Sequence, residues 1–188
     1  MRSSLHQEGV HIPLHRRSRY PTSLALVTID AHKQPSYTLY REGIADKDIA
    51  LAEIAAQLPE DLTVFHTGSL AITPSQLPKI LELLQLIQRR SIVISLDLNI
   101  RLSASDNAEK YLEGVRSLLP YADIIKASDE DLAPFQFAAD SQRAAEIAHG
   151  QHGEGIFVLT QGARETVFFT GERVLLCAPP AVFDVQDK

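Results

Sequence analysis

An α/β fold on a mainly parallel sheet is what this sequence predicts, and three observations predict it. Apolar, strand-like runs at residues 92–96, 122–125 and 156–159 are separated by amphipathic segments of helical period. Strands that alternate with helices assemble into parallel sheets. Each run also ends in a polar cluster: Asp97-Leu98-Asn99-Ile100-Arg101, then Lys126-Ala127-Ser128-Asp129-Glu130-Asp131, then Thr160-Gln161-Gly162-Ala163. Parallel sheets bind ligands outside the carboxyl ends of their strands, so the three clusters are expected on one edge, facing one ligand. An acidic pair, a guanidinium, a lysine and a glycine turn together suit a metal–phosphate substrate.

The elements follow in order. Residues 1–20 are polar, with four Arg and three His and no period, and read as a frayed or adaptor segment. Residues 24–29 and 36–40 read as two strands around a turn at 30–35, a hairpin. Ile49, Ala52, Ile54, Ala55 and Leu58 have helical spacing, predicting a helix over 46–58. Residues 62–66 form a short strand running into Thr67-Gly68-Ser69. Thr73 followed by Pro74 predicts a helix start, a hydroxyl cap with proline in the first turn. Its buried face is Leu77, Ile80, Leu81, Leu84 and Ile87. Ser105 or Asp106 caps the next helix, which buries Tyr111, Leu112, Val115 and Leu119. A further helix covers 142–149 and closes at Gly150. After the third strand, 166–169, a Thr170-Gly171 turn and 174–177 make a second hairpin. Pro179-Pro180 breaks it, and 181–183 begin another apolar run. No internal repeat is visible.

Composition narrows the class. The 188 residues suit one domain with a sizeable core. A net charge of −6 argues against nucleic acid as the main partner, because a phosphate backbone wants a basic face; a nucleotide needs only local positive charge. The single Cys177 excludes an internal disulfide and fits a reducing cytoplasm. No apolar run is long enough to span a membrane, and the first residues lack the apolar core of a signal peptide.

The clusters carry the chemistry. Asp97 and Asn99 suit a loop held by short polar side chains, but that does not account for Arg101, which is placed to hold an anionic or hydroxyl-rich ligand. Ser128 with three acids after it is a helix N-terminus; the same acids can hold Mg²⁺ through water, and Lys126 just before them can reach a phosphate. The Thr160–Gly162 turn lets backbone amides approach phosphate. It is neither a P-loop nor a dinucleotide fingerprint. Tyr40 and Arg41 close the first hairpin, where they either cover a sugar or simply end an exposed strand. The seven histidines have no zinc spacing; His66, read as a strand end near Gly68, is a candidate pocket residue. No Gly-x-Ser-x-Gly elbow is present.

Taken in order, Pro21-Thr22-Ser23-Leu24-Ala25-Leu26-Val27, His66-Thr67-Gly68-Ser69-Leu70-Ala71, Ser95 to Arg101, Ala122 to Asp131 and Leu159 to Ala163 resemble the PfkB (ribokinase-like) carbohydrate kinases, bacterial fructokinases above all. The resemblance runs from about Glu8 onward. It implies a ribokinase-like, mainly parallel sheet flanked by helices with a small β-hairpin lid, here incomplete: a polar segment 1–20, then a partial kinase domain 21–188 whose lid hairpin is 24–40. It implies transfer of the γ-phosphoryl of ATP, the co-substrate, to a sugar hydroxyl with Mg²⁺. Tyr40, Arg41 and Arg101 would lie near the sugar, and Asn99, Lys126, Ser128, Thr160 and Gly162 near the nucleotide. Asp131 would serve the metal.

The departures are specific. Ser128 and Asp131 stand where the family has Asn-x-x-Glu, and Glu165 stands where its glycine turn closes with Gly. The family's Gly-Ala-Gly-Asp motif, whose amides form the anion hole and whose Asp is the general base, is absent; the last residues read Val185-Gln186-Asp187-Lys188. The amino-terminal sugar motif is absent too. The expectation is therefore an internal piece of a sugar kinase, inactive alone, with no catalytic base of its own. The alternative is a non-catalytic remnant that binds nucleotide, sugar or a partner chain. Expected partners are a fructose-like sugar and ATP, with no nucleic acid and no membrane, and a second copy paired through the lid hairpin.

Overall fold

The structure, a computed structural model, describes residues 2–12, 16–29 and 35–180. It divides into two units, residues 1–62 and 63–188. The composition change at residue 20 thus falls inside the first unit rather than at its border.

In the first unit a short helix α1 (Arg2–Gln7) precedes an antiparallel hairpin of β1 (Leu24–Ile29) and β2 (Pro35–Tyr40), in register from Leu24 opposite Tyr40 to Ile29 opposite Pro35. Most of the expected turn lies outside the described residues. Strand β1 is exposed along its whole length. The helix predicted over 46–58 is instead a 3-10 turn at Ala45–Lys47 and a helix α2 (Leu51–Gln57). Extended backbone at Ala50 separates them, and the Glu53 carboxylate accepts the Ala50 N–H at 3.0 Å. The amino-terminal segment is not simply frayed. Arg16 donates to Asp48 Oδ2 at 3.0 Å and Glu53 Oε2 at 2.8 Å, and Ser18 Oγ donates to Asp48 Oδ2 at 2.7 Å.

The second unit carries the predicted sheet. Six strands lie side by side in chain order: β3 (Val64–Gly68), β4 (Val93–Asp97), β5 (Ile124–Ser128), β6 (Ile156–Thr160), β7 (Thr166–Thr170) and β8 (Arg173–Cys177). Strands β3 to β6 are parallel, and β7 and β8 add the antiparallel hairpin. Helices α3 (Leu77–Gln88), α4 (Ala108–Arg116), the single turn α5 (Asp129–Leu132) and α6 (Ser141–His152) connect the strands. Ile94, Leu96, Ile125, Ala127, Phe157, Leu159, Val167 and Phe169 put one face of the sheet in the core. Alternate residues point the other way, and among them Val64, Val93 and Ile156 stay exposed. All five residues of the edge strand β8 are exposed.

Helix α3 buries Ile80, Leu83, Leu84 and Ile87; Leu77 and Leu81 are only half-buried. Helix α4 buries Tyr111, Leu112 and Val115, as expected, and Leu119 is buried just beyond it. Three helix ends differ from expectation. Helix α3 begins at Leu77 rather than after Thr73, because the Thr73 hydroxyl turns back to the Leu70 carbonyl at 3.2 Å; Pro78 is the proline of the first turn. Asn107, not Ser105 or Asp106, caps α4: its side chain accepts the Lys110 N–H at 2.8 Å, while Ser105 Oγ is occupied with the Asn107 backbone. Helix α6 runs through Gly150 to His152 and ends at Gly153, whose φ of +105° suits glycine. Strand β3 is shifted two residues on from the predicted 62–66. The apolar run at 181–183 lies outside the described residues.

Candidate active site at the carboxyl edge of the sheet

The polar clusters do share one edge. Asp97 ends β4 opposite Lys126 of β5, and Lys126 Nζ lies 3.1 Å from Asp97 Oδ1. Both side chains are about one-third exposed, so the pair faces solvent and the lysine is available to another anion. The Leu98 N–H donates to the Lys126 carbonyl at 2.9 Å, which carries the pairing one residue past the strand.

Beyond β4 the chain is tightly constrained. Asn99 has φ +37° and Ser69, facing it from the end of β3, has φ +50°; Asn99 Nδ2 donates to Ser69 Oγ at 3.1 Å. A Cβ on Gly68 would lie 1.9 Å from the Asp97 carbonyl oxygen, so only glycine lets β3 and β4 close here. Unusual backbone conformations gathered at one place are held by the surrounding structure and favour functional sites. The Ile100 N–H donates to Asp131 Oδ1 at 2.6 Å. Arg101 is exposed and donates to the Ile100 carbonyl at 3.1 Å, which leaves its other donors free for a ligand.

At the end of β5, Ser128 and Asp131 cap α5 reciprocally. Ser128 Oγ accepts the Asp131 N–H at 3.0 Å and Asp131 Oδ2 accepts the Ser128 N–H at 2.8 Å. Asp131 is only 5% exposed. Thr160, the last residue of β6, pairs with Ser128. The turn after it is closed by the Arg164 N–H donating to the Gln161 carbonyl at 3.1 Å, with Gly162 at φ +60°. Buried Gln161 donates to Ser141 Oγ at 2.6 Å, and exposed Arg164 pairs with Asp129 at 3.0 Å. Beside these residues opens a cleft of about 780 Å³ whose lining includes Asp129, Glu130, Asp140, Ser141 and Arg164.

Asp97, Asn99, Arg101, Lys126, Ser128, Asp131, Thr160 and Gly162 are thus neighbours on one edge. Tyr40 and Arg41 belong to the first unit. Tyr40 is 55% exposed, whereas the Arg41 guanidinium is largely buried against Asp46 at 2.6 Å. His66 is not a strand end: β3 continues to Gly68, and His66 Nδ1 meets Ser95 Oγ at 3.0 Å between neighbouring strands. Gly68 and Ser69 entered the sequence reading only as part of a longer motif, with no role of their own, and Arg164 did not enter it.

The family model described as pfkB family carbohydrate kinase matches residues 1–187. The chain belongs to the pfkB family of carbohydrate kinases. A fructokinase of Rhizobium leguminosarum bv. trifolii is 32% identical over 154 residues, 81% of this chain and 46% of that protein. The fructokinase of Xylella fastidiosa with bound ATP superposes with a TM-score of 0.82 at 25% identity, over 98% of this chain and 57% of that one. A Vibrio cholerae fructokinase in fructose-, ADP- and calcium-bound form shares the fold, with a TM-score of 0.78 at 21% identity over 97% of this chain and 59% of that one. The chain spans about half the length of the curated relatives it matches.

In this pfkB-family chain Ser128 and Asp131 are a helix cap and its partner, and they close on each other. Among the described residues no three His, Cys, Asp or Glu side chains gather to cage a metal. Each Asp131 oxygen spends one lone pair on a backbone amide and keeps one. Magnesium takes few protein carboxylates, keeps several waters and leans on substrate phosphates. The donor set fits a hydrated ion reached through water, not an all-protein cage. Glu165 is exposed.

Proposed function

We propose that this edge serves ATP-dependent phosphoryl transfer to a hydroxyl of a fructose-like sugar. The observation that carries the reading is the convergence of Lys126, Arg101 and the Ser128–Asp131 turn at the carboxyl ends of adjacent strands. The likeness to the ATP-bound fructokinase of Xylella fastidiosa supports it. Lys126 exchanges its exposed partner Asp97 for a phosphate oxygen. The Ser128 hydroxyl, the Asn99 amide, Thr160 and the backbone N–H groups of the Gly162 turn complete the phosphate side. Arg101 holds sugar hydroxyls with its free donors. Mg²⁺, when bound, neutralises phosphate charge, with Asp131 reaching it through water. No residue of this chain is assigned as general base.

The 188-residue chain alone binds and does not turn over, because it carries no Gly-Ala-Gly-Asp. An anion-hole donor is worth ~10²–10³ in rate and a general base ~10²–10⁴. The exposed apolar strand β1, with Leu24, Leu26, Val27 and Ile29, supports pairing of two copies through the hairpin. Free, exposed Cys177 fits a reducing cytoplasm.

Titration calorimetry with Mg·ADP and with fructose, beside an assay of ADP formed from Mg·ATP, tests the reading. Binding of ADP that Lys126→Ala weakens about tenfold or more is expected, since a charged hydrogen bond is worth ~1.5–3 kcal/mol. Fructose-dependent ADP formation by this chain would overturn its inactivity. ADP affinity indifferent to Lys126→Ala would overturn the phosphate assignment.

A further inference from the structure

Asp131 does more than cap a helix. Its two oxygens accept from two different loops: Oδ1 from the Ile100 N–H at 2.6 Å, on the loop after β4, and Oδ2 from the Ser128 N–H at 2.8 Å, at the end of β5. The carboxylate is 5% exposed. A buried charge is tolerated only while its hydrogen-bond partners stay in place. Movement of either loop therefore strips the carboxylate of a donor and raises the cost of keeping it buried. Arg101 follows Ile100 directly, and Lys126 sits two residues before Ser128, so the two loops carry the sugar side and the phosphate side of the site. The side chain's one-methylene stem keeps it at the Ser128 amide.

We infer that Asp131 is a positioning residue that couples the two substrates' loops. Order imposed at Ser128 by a phosphate passes through one carboxylate to Ile100 and Arg101, and order imposed by a sugar passes back. The coupling is reciprocal by linkage. This rests on the assignment of the two loops to sugar and nucleotide; the carboxylate bridge itself does not.

Amide hydrogen exchange on the full chain tests both parts. Without ligand, Asp131→Ala removes both acceptor oxygens. Exchange at Ile100 and at Ser128 should both rise about tenfold or more, while core amides such as Ile94 and Ile125 keep their protection. A rise at Ser128 with Ile100 unchanged would overturn the bridge. Ser128→Ala, a milder change that removes only the hydroxyl holding the Asp131 N–H, should also raise exchange at Ile100; no change there would overturn the coupling even if Asp131→Ala fails to fold. With Mg·ADP, the unsubstituted chain should gain protection at Ser128 and Ile100 together. Protection confined to Ser128 in the unsubstituted chain would overturn the coupling and leave the phosphate reading standing. Protection at neither would overturn the phosphate reading, and the ligand-free comparison would still decide the bridge.

Discussion

Gly68→Ala should unfold this protein far more readily than its size suggests. The added Cβ would sit 1.9 Å from the Asp97 carbonyl oxygen, 2.8 Å from its carbon and 3.0 Å from its nitrogen. These are backbone atoms of the adjacent strand and cannot rotate away. Ordinary contact needs about 3.5 Å, so β3 and β4 must part by roughly 1.5 Å at this end. That stretches ladder hydrogen bonds past their range, at about 1 kcal/mol each, and strain at φ +156° adds about 1–3 kcal/mol. About 3 kcal/mol in all corresponds to a fall in Tm of roughly 6–12 °C for a domain of this size. Gly162→Ala is the control. It has φ +60° and nothing within 4 Å of the added atom, so about 1 kcal/mol and roughly 2–4 °C are expected. Thermal unfolding followed by circular dichroism measures both. Equal shifts, or a Gly68→Ala shift below that of Gly162→Ala, would refute the argument from the strand contact.

Three further outcomes are expected. His152 is buried, with a ring nitrogen 3.1 Å from the Leu119 carbonyl, and burial first, with His149 nearby, pushes its pKa down, partly offset by the Leu119 hydrogen bond and then by Asp123. The folded chain therefore holds it neutral while the unfolded chain takes up a proton below about pH 6.5, so its contribution is full above that pH and lost as pH falls through it; the urea midpoint should drop from pH 7.5 to 5.5, and His152→Gln should flatten that drop. Asn107→Ala should cost about 1 kcal/mol in urea unfolding, and Asp106→Ala almost nothing, since only Asn107 accepts from the helix; equal losses would return the cap to the predicted position. Lys126→Ala should change unfolding stability in urea by no more than about 0.5 kcal/mol, because an ion pair about one-third exposed contributes little.

The parts legible in the sequence were those encoded by a local pattern. Strands β4, β5 and β6 stood out because short apolar runs stop abruptly at polar residues, and the parallel order followed from the helices between them. The same polar stops marked the edge on which Lys126, Ser128 and Arg101 gather, which is why they could be named as candidates beforehand. Helix ends were harder. A Thr-Pro pair opens a turn as readily as a helix, and at Thr73 the hydroxyl chose the preceding 3-10 turn. Gly150 reads as a terminator, yet a helix tolerates one glycine when its neighbours Ala148 and His149 are buried. The contacts that organise the site were illegible because they join distant residues: Asn99 to Ser69, Ile100 to Asp131, Arg164 to Asp129. No spacing encodes a carboxylate shared between two loops.

The sheet face turned away from the core leaves Val64, Val93 and Ile156 exposed, and β8 adds Val174, Leu175 and Leu176. A fluorescent dye that reports apolar surface will therefore bind this chain while its packing is intact. Dye emission, commonly taken as a sign of a molten globule, would here mark the native state, and near-ultraviolet circular dichroism of Tyr111 and the stacked Phe135 and Phe137 is the signal that follows loss of packing.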